Sequence, residues 1–434
     1  MKKMILSILI MAAPFLFVIS PAQSEERSQT PSALRLEDLV RQALEKNPEI
    51  VAAKAEWLAS KKAIMASWAL PDPVGGYDIM GSMVETMTGP QKNRFGIAQE
   101  IPFPAKLLEQ RKAAKAEAEA ARARSSAMER DITNKLTQLY YQLYYIDASL
   151  DTLAEVKSLL KNIEGVAQAR YSNLSGTQRD VAKAEAEFSM NLEKLYMLEQ
   201  QRESVTAQMN ALLDQDPMTA IGKATFPSRP AVNSSLVELI NLAVKNREEI
   251  KESEAVAAKT HYAKRLAQLA YIPDVNVGFE YTRVGKGSTS EANDGKDTWM
   301  FPLRFNIPLW QNRLIPEIQQ AQKLEEAQAA KLIAVKNQTF FEVKDAYYRF
   351  QSAAKIADLY ESAIVPQAKL ALSADQSGYE GNKTGFLDLL DSERVYLNAK
   401  LSQVQFCTEA IKAYADLVWV TGLDLSNINT ESKP

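Results

Sequence analysis

Residues 105–164 run without a glycine or a proline, and residues 317–365 do the same. At 1.5 Å per residue the first run makes a helix of roughly 90 Å. That exceeds any globular core, so helices of this length must form coiled coils or a helical tube. Ala113, Ala114, Ala116, Ala118, Ala120, Ala121 and Ala123 add helix propensity and allow close helix contact. Pro366, just past the second run, predicts a kink there.

Each run leads into a Gly/Asn/Ser cluster, and the sequence writes this stretch twice. Tyr171-Ser-Asn-Leu-Ser-Gly-Thr-Gln-Arg-Asp180, followed by Glu185, and Tyr379-Glu-Gly-Asn-Lys-Thr-Gly-Phe-Leu-Asp388, followed by Glu393, share Tyr, Asp and Glu at one constant offset. Each reads as the turn of a helical hairpin, with a carboxylate in the first turns of the returning helix. Asp388 and Asp391 are three apart and share one helix face. Two like charges on one face are commonly just solvated; they gain meaning if symmetry gathers them around an axis.

The duplication extends along the chain. Leu36-Glu-Asp-Leu-Val matches Leu236-Val-Glu-Leu-Ile, Glu49-Ile50 matches Glu249-Ile250, Pro71-Asp72 matches Pro273-Asp274, and Ile101-Pro102-Phe103 matches Ile307-Pro308-Leu309. Matches in one order along the whole length indicate an internal two-fold repeat. The first repeat covers residues 25–213, with a β-hairpin at 74–102. The second covers 234–422, with a β-hairpin at 275–308. Pro217, Pro227 and Pro230 mark residues 214–233 as a connector, and residues 423–434 form a C-terminal tail. In each repeat a helix comes first (about 34–70 and 234–272), and the returning helix spans about 177–213 and 385–421.

The β segments alternate at strand period. Val275, Val277, Phe279 and Tyr281 share one face, as do Trp299, Phe301, Leu303, Phe305 and Ile307. Tyr77, Ile79 and Met83, then Phe95, Ile97 and Ile101, repeat the pattern more weakly in the first half. Strands of about ten residues suit a membrane-spanning barrel, although a soluble sandwich alternates too. Pro302 argues against an unbroken central strand. Four strands cannot close, and open edges are not tolerated in a bilayer. Closure therefore requires several chains, giving eight, twelve or sixteen strands.

Residues 1–24 read as a secretory signal peptide. Lys2 and Lys3 precede an apolar run, and Ala22-Gln23-Ser24 suits cleavage. Cleavage leaves 49 basic and 54 acidic residues, a mild acidity that speaks against a nucleic-acid partner. Cys407 is the single cysteine, so no internal disulfide forms. His261 is the single histidine, and the sequence holds no Cys/His cluster, Ser-His-Asp set, P-loop or dinucleotide fingerprint. These absences predict a protein that is not an enzyme and carries no cofactor.

At this point the chain resembles the TolC-like outer-membrane factor (outer membrane efflux protein) family. The resemblance covers the mature chain and rests on the duplicated plan, Tyr-x8-Asp in both turns, and Ile-Pro closing the second β segment of each half. It implies a mainly α fold with a small transmembrane β part. A homotrimer would combine a long α-helical barrel with a twelve-stranded outer-membrane β-barrel, four strands per chain. It implies outer-membrane lipid around the strands, a periplasmic adaptor protein, and an inner-membrane pump of the RND type. By position Asp388 and Asp391 match carboxylates ringing the periplasmic aperture. Tyr379 matches a tyrosine that locks the aperture, and Asp180 its partner. A family glycine is replaced by Leu174 and Asn382, and an arginine of the lock by Thr384.

The run Ala98-Gln-Glu-Ile-Pro-Phe-Pro-Ala-Lys-Leu107 is similar to a segment of heavy-metal efflux ducts. Met80, Met83 and Met87 lie nearby, and thioethers suit Cu(I); flexible apolar residues of a barrel loop explain them equally. The implied function is passive export through the outer membrane, of heavy-metal cations or drugs. Two alternatives stand: an outer-membrane duct of type I secretion, and a secreted coiled-coil structural or adhesin-like protein without a pore.

Overall fold

The computed structural model describes residues 34–81, 85–226, 231–287, 292–381 and 383–422. The leader, the tail, Met83, Asn382, Pro227 and Pro230 lie outside the described residues.

The first helix is two helices rather than one, α1 (Leu36–Lys46) and α2 (Pro48–Ala66). The residue before a proline is pushed out of helical geometry. Asn47 accordingly takes ψ 125°, and its side chain caps α2 by accepting the N–H groups of Glu49 and Ile50 at 2.9 and 3.2 Å. The second half breaks at the same place without a proline, between α5 (Leu236–Asn246) and α6 (Glu248–Gln268). There Arg247 leaves the helix at ψ 127°. Its buried guanidinium lies 3.1 Å from Glu249, 3.2 Å from Thr339 and 5.2 Å from the Trp419 ring centre.

Six strands make one antiparallel sheet: β1 (Val74–Ile79), β2 (Glu85–Thr86), β3 (Gly89–Ile101), β4 (Val275–Val284), β5 (Thr298–Met300) and β6 (Leu303–Phe305). β1 pairs with β3, β3 with β4, and β4 with both β5 and β6. One strand position is split because Pro302 cannot donate to the ladder. Its carbonyl still accepts Gly278 N–H at 2.9 Å. The edges at β1 and at β5–β6 have no partner strand among the described residues.

Past the sheet the chain is helical. α3 (Pro104–Ser172) has 69 residues, which at 1.5 Å each is about 100 Å. α4 (Gln178–Leu212) returns along it. In the second half α7 (Gln311–Leu359) leads through a π-helical turn, Tyr360–Ile364, into α8 (Val365–Glu380), and α9 (Phe386–Thr421) returns. The π turn sits directly before Pro366, where the helix must absorb a missing N–H and a ring clash. Buried clusters follow the helix seams: one at Ile132, Leu136, Leu143 and Met209, and another at Ile163, Ala184, Tyr379 and Leu389 near the turns. Among the described residues no helix is long and apolar enough to cross a membrane.

Candidate aperture and barrel lining

The sheet has one apolar face and one charged face, and strand register explains both. Tyr77 stands opposite Phe95, Phe95 opposite Tyr281, and Tyr281 opposite Trp299. This aromatic row crosses four strand positions, and all four side chains are exposed. Phe279, Phe301 and Trp299 meet at centroid distances of 5.3 and 5.5 Å beside it. The opposite face carries Asp78, Arg94, Glu280 and Arg304. Arg304 donates to Glu280 at 2.7 Å, and Arg94 stands 3.8 Å from the same carboxylate. An apolar exterior with an aromatic girdle and a charged interior is the pattern of an outer-membrane barrel wall.

At the far end of the helices the two turns meet. Thr177 opens α4 with a full capping box: its hydroxyl accepts Asp180 N–H at 3.3 Å, and Asp180 accepts Thr177 N–H at 3.2 Å. Asp388 has half of that role in α9, accepting Gly385 N–H at 3.2 Å. Both carboxylates therefore stabilise a helix start, whatever else they do. Asp388 and Asp391 are exposed on one face of α9. That face borders a groove of about 410 Å³ between α4 and α9, lined also by Lys183, Glu187, Met190 and Arg394.

The two tyrosines of the repeated turn are not equivalent. Tyr171 is exposed, whereas Tyr379 is buried against Phe386, with ring centroids 5.5 Å apart. Burial raises the Tyr379 phenol pKa, opposed by Arg170 and aided by Asp180. Among the described residues the Tyr379 hydroxyl has no hydrogen-bond partner, and Asp180 spends its carboxylate on the Thr177 cap.

What joins the turns is Arg170, which sequence reasoning passed over. Its guanidinium lies 4.3 Å from the Tyr379 ring centre, donates to the Tyr379 carbonyl, and reaches the Ser175 carbonyl at 3.3 Å. The only signal was its place directly before Tyr171. The equivalent position in the second turn is Gly378, where a Cβ would lie 2.1 Å from Thr384 Oγ1. Leu174 takes φ +58° and is 96% exposed at the tip of the first turn. A left-handed conformation favours glycine, so a leucine at this tip carries backbone strain.

Sequence reasoning placed Glu393 in the repeated stretch but missed its burial. It occupies the buried stripe of α9 between Leu390 and Leu397, is fully buried, and neither carboxylate oxygen has a hydrogen-bond partner among the described residues. Burial pushes its pKa up to about 7. Glu187 adds to the rise, and Lys194 and Arg394 oppose it. Glu187 itself is held by Arg394, whose Nε donates at 2.9 Å.

Met87 is exposed in the turn between β2 and β3, and Met80 lies at the end of β1. Among the described residues no group of three or more His, Cys, Asp or Glu side chains could hold a metal ion.

A small sheet continuing into helices of this length, with paired returning helices, defines the fold of TolC-like outer-membrane channels. The crystal structure of the outer membrane protein VceC from Vibrio cholerae superposes with a TM-score of 0.75 at 20% identity, over 89% of this chain and 96% of that one. The outer-membrane channel OprN gives 0.78 at 18% identity, over 90% of each chain. Residues 239–423 match the model of the family described as outer membrane efflux protein. The cobalt-zinc-cadmium resistance protein CzcC of Cupriavidus metallidurans is 24% identical over 241 residues, 54% of this chain and 53% of that protein. The matched region therefore spans about half the length of that relative.

Proposed function

We propose that this protein is the outer-membrane exit duct of a tripartite efflux pump. Three copies would close a twelve-stranded barrel, and their helices would form a periplasmic tube ending at the two turns. A periplasmic adaptor would grip the tube, and an inner-membrane pump of the RND type would drive export. The channel itself needs no catalysis. The observation that carries this proposal is the sheet with an aromatic outer row, a charged inner face and two unpaired edges. Such a wall is costly in water and incomplete as a monomer. A secreted coiled coil without a pore would need neither feature.

Each half of the chain acts as one building unit in this scheme, written twice and joined at the β3–β4 seam. Asp388 and Asp391 would gather as six carboxylates around the axis, and a ring of acids favours cations. Arg170, Tyr379 and the buried leucines would hold that end closed. Heavy-metal cations are the favoured substrate class; similarity to CzcC and the Ala98–Leu107 run support it, and drug export or type I secretion is the alternative.

The test is fractionation and topology in intact cells. The protein should require detergent for extraction from the outer-membrane fraction. A tag after Gly287 should be labelled on intact cells, and a tag after Gly381 only after permeabilisation. A soluble secreted protein, or the reverse labelling, would refute the proposal.

A further inference from the structure

Within one chain the first half meets the second along a single seam. Its strand part is β3 against β4. Its helical part is α3 against α6 next to the sheet, tied by Arg124–Glu252 at 2.8 Å and Lys259–Glu117 at 2.6 Å, and α3 against α9 further along, where Gln138 donates to the Lys412 carbonyl at 2.9 Å. Where strands give way to helices, Asp274 is clamped. Lys106 Nζ lies 2.7 Å from one of its oxygens and Phe103 N–H donates to the other at 2.8 Å. Lys106 also donates to the Ile272 carbonyl at 2.8 Å. Phe103 is the residue that caps α3, and Lys106 is the third residue of that helix.

The same parts recur on the two sides left unpartnered in one chain. Trp310 caps α7, and the third residue of α7 is Arg313. The local turn is the same: Lys106 N–H bonds Phe103 O at 2.8 Å, and Arg313 N–H bonds Trp310 O at 3.0 Å. Asp72 precedes β1 as Asp274 precedes β4, each following a proline. In each half the second strand segment anchors this Pro-Asp step. Gln99 donates to Pro71 O at 2.7 Å, and Asn306 accepts Asp274 N–H at 2.6 Å. Asp72 and Arg313 are both exposed, and Arg313 touches Glu317 on its own helix at 3.0 Å.

We propose that Arg313 of one copy clamps Asp72 of the next, so that the seam between copies repeats the Lys106–Asp274 seam within each chain. This rests on the three-copy ring proposed above. A head-to-tail contact of this kind uses two different surfaces and closes into a ring when the rotation allows. The helical surfaces on either side suit a second copy of this chain. On α2, Val51, Leu58 and Met65 stand seven residues apart and exposed; α6, its counterpart, is covered by α3. On α7, Leu324 and Ile333 are exposed. Apolar contact between copies thus takes the place of the ion pairs found inside. Arginine suits the position between chains because its planar fork can bind both carboxylate oxygens at once, which a lysine cannot.

The test uses the full-length protein extracted in detergent. Arg313→Asp and Asp72→Arg should each make the three-copy species dissociate on heating roughly tenfold faster, as for the loss of a coupled contact pair. Combining the two swaps should restore the parent rate. In a second measurement, Asp72→Cys with Arg313→Cys, in a Cys407→Ser background, is treated with a short bifunctional thiol reagent. Ladders of two and three chains are expected, while the Lys106→Cys/Asp274→Cys pair should link only within one chain. A stable three-copy species that neither crosslinks nor responds to the swaps overturns the clamp and leaves the ring intact. Absence of any three-copy species in the parent protein overturns both.

Discussion

Replacing Glu393 with glutamine should stabilise the turn-proximal end of the helices at neutral pH and change little in acid. The carboxyl is fully buried between Leu390 and Leu397, with neither oxygen hydrogen-bonded. Its folded pKa is raised from 4.5 to about 7. Between those values the folded protein holds a proton that the unfolded chain has released. Stability contributed by this group is therefore full below about pH 4.5 and is lost as pH rises through about 7. At about 1.4 kcal/mol per pH unit, the charged carboxylate costs about 3 kcal/mol at pH 8. Glutamine keeps the shape and cannot ionise. Amide exchange over residues 386–397, corrected for the intrinsic pH dependence, reports opening of this segment directly. Protection in Glu393→Gln should exceed the parent's by roughly a hundredfold at pH 8 and about twofold at pH 4.5. Equal protection at both pH values, or an advantage that grows in acid, would refute the reasoning.

Three further outcomes follow from the turns. Arg170→Ala removes a cation–π contact of about 1 kcal/mol and the hydrogen bonds to Tyr379 and Ser175, so amides of residues 168–180 should exchange several-fold faster. Leu174→Gly should be neutral or stabilising by up to about 1 kcal/mol, because φ +58° strains a leucine, while Leu174→Val should destabilise; thermal melts of the pair should rank them so. Changing Asp388 and Asp391 together to alanine should weaken cation selectivity in planar-bilayer recordings and relieve block by multivalent cations. Assembly should survive, since both side chains are exposed. Unchanged ion preference would place these aspartates away from the conduction path.

Much of the architecture was legible because it is written in periodicity and repetition. The long helices follow from the absence of Gly and Pro, and the apolar and charged sheet faces from strict alternation over 275–281 and 299–307. Pro302 marked the strand break correctly. Asn47-Pro48 was legible in principle, since an Asx cap before proline ends a helix, but the apolar spacing on both sides masked it. The matching break at Arg247 was not, because it depends on Thr339, Glu249 and Trp419 from distant segments. At the turns, repetition misled in one respect. Tyr171 and Tyr379 occupy equal positions in sequence, yet only Tyr379 is buried, since Arg170 stands over it where the other turn has Gly378. Glu393 looked like one more solvated helix carboxylate. Only the packing of α9 between two leucine clusters reveals its isolation.

The central claim is that three copies of this chain make one closed duct. Native mass spectrometry of the protein extracted from outer membranes in mild detergent tests it most directly. The account predicts a species of three chains that persists until the detergent-bound barrel is unfolded by heat. A monomer that remains stable and soluble without detergent would contradict it.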